Sequence, residues 1–226
     1  MRTESLLHSG EPFEQTDLFA TPASEPGIDV DFTTARRHQL DADSWVEVVP
    51  GWLSAAGPLL DSLIDKVRWE QRNRRLFDQT FVEPRLTGEY PDLREVPDPL
   101  LIEAARALSA HYGLTYDGLW INFYRDGQDS TGWHRDFFSP RPPETIVPVL
   151  TLGATRRFLI KPRAGGKSVA FRPRSGDLVV MGGRAQEDWV HGVPKDPAVA
   201  GPRVSVNFQC SRPDSSGFFV SSMSEP

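Results

Sequence analysis

The sequence predicts a mainly β protein with flanking helices, an α+β chain whose core is a barrel or a double-sheet jelly roll. Six runs after residue 113 are short, rich in β-branched and aromatic residues, and separated by Gly or Pro: LWINFYR, TIVPVLTLGA, RRFLIKP, SVAFRP, DLVVMGG and RVSVNFQC. No strand–helix–strand alternation appears that would signal a parallel sheet. The helical patterns instead lie near the front, where two helices can buttress one sheet from outside. Many short strands with turn punctuation close into folds of this kind.

A chain of 226 residues with a formal charge of -6 fits one main domain, which we place at 44–213, after a leader at 1–43 and before a tail at 214–226. The leader mixes Ser, Thr, Glu, Asp, Pro and Gly and cannot bury enough apolar area to offset chain entropy, so it is expected to be flexible, with His8 and His38 solvated. Net acidity excludes a wholly basic nucleic-acid coat but leaves room for a local basic patch. The single cysteine, Cys210, excludes a disulfide within the chain and suits a reducing compartment; it reads as a buried strand residue. No apolar run approaches the length of a membrane span, and the polar start is unlike a secretory signal. The expectation is a soluble, cytoplasmic monomer.

From Trp45 the texture changes. WVEVVPGWL reads as a strand and a turn, and Leu59 to Val67 as a short amphipathic helix after Pro58. Residues 66–75, KVRWEQRNRR, hold five basic groups and one acid around Trp69, either a solvated face with one anchored aromatic or an edge that faces phosphates. Residues 81–92, FVEPRLTGEYPD, alternate and end in turn residues, which predicts a hairpin. Asp98-Pro99 before LLIEAARALSAHYG is the clearest helix start, and Gly113 marks its end. His111 in the last turn suits the negative end of the helix dipole.

The chemistry concentrates in residues 119–136, LWINFYRDGQDSTGWHRD. In extended backbone His134 and Asp136 point to the same side and can share one metal ion. His191, in DWVHGVPK, can supply a third ligand. Two imidazoles and one carboxylate leave the other coordination positions open, as in non-heme Fe(II) oxygenases. A surface turn is the alternative for the pair alone. Asn122 and Tyr124 share one face of their strand with Trp120. Arg203, Ser205, Asn207 and Gln209 share one face of the late strand, opposite Val204, Val206, Phe208 and Cys210. A half-solvated sheet gives the same alternation. If these faces point inward, Arg203 can hold a dicarboxylate by a bidentate pair, with Asn122 and Tyr124 donating to it.

Asn122, Tyr124, Arg125, Asp126, Gly127, Trp133, His134 and Asp136, then Gly153-Ala154-Thr155-Arg156, His191 before Val193-Pro194, and Arg203 resemble in order and spacing the AlkB family of Fe(II)- and 2-oxoglutarate-dependent dioxygenases. The resemblance runs from about Trp45 to Arg212. It implies a double-stranded β-helix (jelly-roll) core and Fe(II) on His134, Asp136 and His191. It also implies 2-oxoglutarate and O2 as co-substrates, with Asn122, Tyr124, Arg203, Asn207 and Gln209 at the 2-oxoglutarate positions. The reaction implied is oxidative dealkylation of an alkylated base in DNA or RNA, single-stranded or flipped from a duplex. A lid over the base is implied at about 66–92, with Arg85 and Tyr90 as candidates; Trp69, within the basic run, is a further candidate for substrate contact.

Two departures concern the substrate. The late strand in the family commonly reads Arg-x-Asn-x-Thr-Phe-Arg, and here Gln209 stands in place of the second arginine. Phe138 stands where base-repairing members commonly carry an acid two positions after the metal-binding aspartate. Acid and arginine are absent together, which leaves no unpaired charge and implies an altered base pocket with Phe138 as a stacking wall.

Residues 155–174 hold seven Lys or Arg and no acid, a pattern that suits a polyanion or a solvated hairpin. Two other readings stay open: an oxygenase acting on a protein side chain or a small molecule, and a jelly-roll binding module without turnover.

Overall fold

Two sheets face each other in the computed structural model, which describes residues 25–76, 79–136 and 145–210. The first part of the chain forms β1 (Gly27–Ile28), β2 (Arg36–Gln39), β3 (Ser44–Val49), β4 (Leu53–Ser54) and α1 (Gly57–Lys66). Then come β5 (Asn73–Leu76), β6 (Gln79–Val82), β7 (Leu86–Tyr90) and α2 (Leu100–Tyr112). The remainder is β8 (Gly118–Tyr124), β9 (Thr131–His134), β10 (Val147–Gly153), β11 (Phe158–Pro162), β12 (Val169–Phe171), β13 (Leu178–Gly183), α3 (Ala185–Asp188), β14 (Trp189–Val193) and β15 (Arg203–Gln209). The major sheet has seven strands in the order β2-β3-β13-β10-β15-β8-β7, and the minor sheet has four, β12-β11-β14-β9. All neighbours in both are antiparallel. This is the expected jelly roll.

The two faces of the major sheet bury different partners. Leu119, Ile121, Val204, Val206 and Phe208 pack outward in one core with Leu59 and Leu63 of α1 and Leu101 and Leu108 of α2. Val147, Val149, Val179 and Met181 pack inward in a second core with Phe158, Ile160, Trp189 and Val193 of the minor sheet. The helices buttress from outside, as predicted, and their signals match their bounds closely. Pro58 stands in the first turn of α1. Asp98 Oδ1 accepts from the Leu100 amide at 3.1 Å, and Gly113 ends α2 at φ 68°, a conformation that glycine adopts without strain. His111 is structural: its ring stacks on Phe32 with centroids 3.6 Å apart.

Two expectations need correction. The leader does not run to residue 43, because β1 pairs with β4 and β2 pairs with β3. Arg36–Gln39 is exposed along its length, so no apolar pattern marks it; it is held by the ladder to β3, by Arg37 paired with Glu47, and by the Arg37 guanidinium 3.8 Å from the Trp45 ring centroid. His38 packs edge-on to Phe171, with centroids 5.3 Å apart. Residues 81–92 do not form a hairpin with each other. β7 extends the major sheet beside β8, and the hairpin lies earlier, between β5 and β6.

Phe208 is fully buried at the centre of the helix-covered core. Phe208→Ala is expected to lower unfolding free energy by about 3–5 kcal/mol. A denaturant titration reads this directly, with the midpoint falling and the slope preserved.

Candidate active site

The neighbours β9 and β14 place His134 directly opposite His191 in an antiparallel pair. Asp136 follows two residues after His134, past the end of β9, and turns back to the same side. The ligand atoms of the three residues lie within 4.8 Å of one another. Asp136 Oδ1 is 3.9 Å from His134 Nε2, and its Oδ2 is 3.7 Å from His191 Nε2. Asp136 and His191 are buried, at 2% and 5% exposure. His134 Nδ1 sits 2.9 Å from the Gly132 carbonyl, so that nitrogen donates and Nε2 keeps its lone pair toward the cluster. Burial pushes both imidazoles down to about 3, reinforced at His134 by its neighbour His191 and at His191 by Arg85. Both rings are therefore neutral and ready to ligate at physiological pH. Burial pushes the Asp136 carboxyl up, and a dication between the three groups would offset that cost. The donor set fits a metal with open coordination positions.

On the facing sheet, β15 pairs with β8 so that Arg203 lies opposite Tyr124 and Ser205 opposite Asn122. All seven residues of β15 are buried, which excludes a half-solvated sheet. The Arg203 guanidinium donates from one terminal nitrogen to Thr151 Oγ1 at 3.3 Å, while Nε and the other terminal nitrogen are buried with no hydrogen-bond partner. Burial pushes this guanidinium below its usual range. Burial alone would raise the Tyr124 hydroxyl, but Arg85 and Arg203 beside it bring it below its ordinary value. Tyr124 Oη lies 2.7 Å from Thr131 Oγ1, to which Arg85 also donates. A buried guanidinium with orphaned donors, flanked by a second cation, fits a carboxylate of 2-oxoglutarate.

The remaining candidates separate. Asn122 Nδ2 reaches Ser205 Oγ at 3.5 Å, and Asn207 Nδ2 donates to the Trp120 and Ser205 carbonyls at 3.3 Å. Gln209 is buried on the same face, six residues along β15 from Arg203 and so about 20 Å further on, beside Gly118. Arg85 belongs to the site itself, at 7% exposure. Trp69 and Tyr90 do not line it, a correction to the lid reading. Both pack on the helix-covered side, Trp69 against Phe123 with centroids 5.0 Å apart and its Nε1 donating to the Ile64 carbonyl. Phe138 lies outside the described residues. A cleft beside Arg85 is lined by Arg72, Glu83, Thr87, Glu89, Trp120 and Asn122.

Sequence reasoning missed Thr131 and Gln186 and gave Arg156 no role. Arg156, at 1% exposure, donates to the carbonyls of Asp126, Asp129 and Pro194 at 2.7 to 2.9 Å, tying the turn before β9 to the segment after β14. Gln186 contacts Asp136. No periodicity marks any of these, since each acts across a long loop or a turn.

The family model described as "2OG-Fe(II) oxygenase superfamily" matches residues 49–209, and the chain belongs to that family. It is an Fe(II)- and 2-oxoglutarate-dependent dioxygenase. Within that class it falls among the AlkB homologues. It is 32% identical to alpha-ketoglutarate-dependent dioxygenase alkB homolog 3 of Mus musculus, over 91% of this chain and 80% of that protein. Against the Homo sapiens alkB homolog 3 the identity is 31%, over 77% and 68%. DNA oxidative demethylase ALKBH2 of Homo sapiens is 28% identical, over 63% and 58%. Among solved structures, OsALKBH1 shares the fold at a TM-score of 0.54, with 15% identity over 78% of this chain and 100% of that chain.

Arg203→Ala is expected to weaken 2-oxoglutarate binding by an amount on the order of 2 to 5 kcal/mol, and Arg203→Lys to recover only part, because a point charge does not reproduce the fork. Calorimetric titration of the metal-loaded protein measures both; unchanged affinity in the alanine variant would remove Arg203 from the role.

Proposed function

We propose that the enzyme oxidatively dealkylates alkylated bases in nucleic acid, with His134, Asp136 and His191 holding iron and Arg203 anchoring the distal carboxylate of 2-oxoglutarate. The observation that carries this is the pairing of a buried His–Asp–His cluster with an unsatisfied arginine fork on the facing sheet. Relatives described as DNA oxidative demethylases support the substrate class. When bound, Fe(II) and 2-oxoglutarate supply the activation of O2 that hydroxylates an N-alkyl carbon, which then leaves as an aldehyde. The chain's own part is positional. The neutral imidazoles present nitrogen lone pairs, Asp136 presents a carboxylate, and Asn122 and Tyr124 flank the arginine that orients the co-substrate. The core between the sheets abuts the cluster, with the Phe158 ring 5.5 Å from that of His191, and an apolar neighbourhood strengthens each of these contacts.

The exposed cations Arg163, Lys167, Arg172 and Arg174, on and beside the β11–β12 hairpin, support a phosphate-backbone contact. Among the described residues no helix is long and apolar enough to cross a membrane. We read the enzyme as a cytoplasmic monomer that takes a single-stranded or flipped base. The absence of the family's second arginine and acid, replaced by Gln209 and Phe138, leaves neutral groups to recognise the base. Discrimination should be weaker than from a charge-assisted pair by about 1 kcal/mol or more.

Two outcomes follow. In a panel of DNA and RNA oligonucleotides bearing different alkyl lesions, we expect succinate formation coupled to slow, broad lesion loss, favouring single strands and bulkier lesions. Succinate formation indifferent to every oligonucleotide would shift the reading to a protein or small-molecule substrate. Replacing Lys167, Arg172 and Arg174 by Gln should weaken single-strand binding uniformly across sequences and flatten the salt dependence of log K by about 2, at ~0.7 per phosphate contact. A salt titration followed by fluorescence anisotropy measures that slope.

A further inference from the structure

Asp136 stands outside every strand, so no ladder of backbone hydrogen bonds holds it. Among the described residues, one side chain takes that place. Gln186 Oε1 accepts from the Asp136 backbone N–H at 2.8 Å, and Gln186 Nε2 donates to Asp136 Oδ2 at 3.3 Å. Gln186 is 1% exposed, and its Nε2 also lies 3.5 Å from the Met181 sulfur. The amide has one tenable orientation: turned over, it would set two donors against each other at the Asp136 N–H and two acceptors against each other at Oδ2. Gln186 sits in α3, the single turn that joins β13 to β14, five residues before His191. It therefore links the loop carrying one cluster carboxylate to the segment leading to one cluster imidazole.

We infer that Gln186 is a positioning residue of the metal centre. It fixes the rotation of the Asp136 carboxylate by accepting from the Asp136 backbone N–H and donating to Oδ2, the oxygen 3.7 Å from His191 Nε2. This rests on reading His134, Asp136 and His191 as one metal site. The sharing of work is asymmetric: the imidazoles are placed by their paired strands, whereas the carboxylate depends on an amide fifty residues away in sequence. Groups that orient a metal ligand typically alter metal affinity 10- to 100-fold when removed.

The test is Co(II) titration of the purified wild-type protein and of Gln186→Leu, followed by visible absorption, with the thermal midpoint of each metal-free protein as the fold control. Leucine keeps the approximate volume and removes both hydrogen bonds. The expected result is Co(II) affinity lowered about 10- to 100-fold and an altered visible spectrum, since a carboxylate free to rotate changes the coordination geometry. A Gln186→Leu protein that melts cooperatively and binds Co(II) with wild-type affinity and spectrum would overturn the role of Gln186 alone. Absence of Co(II) binding by the wild type would overturn the metal-site reading and this inference with it. Should Gln186→Leu fail to fold, 15N-glutamine labelling of the wild type decides. The Gln186 side-chain amide, identified by its contact with the Asp136 amide proton, should exchange slowly and shift when Zn(II) is added. A resonance that exchanges fast and ignores Zn(II) would overturn the inference.

Discussion

The burial of β15 on both faces, with opposite chemistry on each, constrains the rest of the fold. Its even-numbered residues, Val204, Val206 and Phe208, must meet the helices; its odd-numbered residues, beginning with Arg203, must meet the minor sheet. A register slip of one residue would drive a guanidinium into the helix-covered core and a phenyl ring into the polar interior. The strand is pinned from both sides against this, by Gly153 and Thr151 of β10 and by Tyr124 and Asn122 of β8. The helices at the front are needed because the outer face of this sheet is as apolar as its neighbours can make it. Without α1 and α2 the residues that orient the site would sit on an exposed hydrophobic sheet.

This constraint also explains what could be read from the sequence. Where two faces of a strand bury different chemistry, period-two alternation survives in the sequence, and RVSVNFQC and LWINFYR reveal the strand and its two faces, but not whether the polar face is solvated or turned inward. Capping residues do the same for α2, because Asp98 and Gly113 meet local backbone needs. The likeness of His134 and Asp136 in direction follows from extended backbone. That His191 lands opposite His134 does not: strand pairing between residues 57 positions apart leaves no local trace, and only the order of motifs pointed to it.

The misreadings share one cause. Trp69 and Tyr90 are aromatic residues in a segment whose side was inferred from resemblance, and the pairing of β7 with β8 decides that side. With Thr87 opposite Asn122, Thr87 is buried on the side of the site and Glu89 lies exposed at the rim of that same side, while Tyr90 shares the helix side with Leu119. β2 was hidden for a related reason: a strand exposed throughout and held by backbone bonds, an ion pair and one cation–π contact carries no hydrophobic signal. Gln186 gave no sign because a polar residue in a short turn looks solvated until tertiary structure closes over it.

Charge accounting joins the two ends of the interior. Arg156 is buried with both terminal nitrogens taken up by carbonyls and only its Nε left without a partner, so its fork is occupied within the fold. Arg85 is buried between Glu83, whose carboxylate lies 3.5 Å from its Nε, and the cluster, whereas Arg203 is buried with no carboxylate partner among the described residues and its fork retains unsatisfied donors. Buried charge without compensation is costly, so this interior favours a dianion. A divalent metal adds positive charge beside the same arginines and raises that preference, while the dianion lowers the cost of the metal. Affinity for each should rise with occupancy by the other, reciprocally. Gln209, neutral and buried further along β15, adds no charge to this balance. The charge logic of this interior therefore rests on Arg203, Arg85 and the His–Asp–His cluster, all held by the two facing sheets and the segments joined to them.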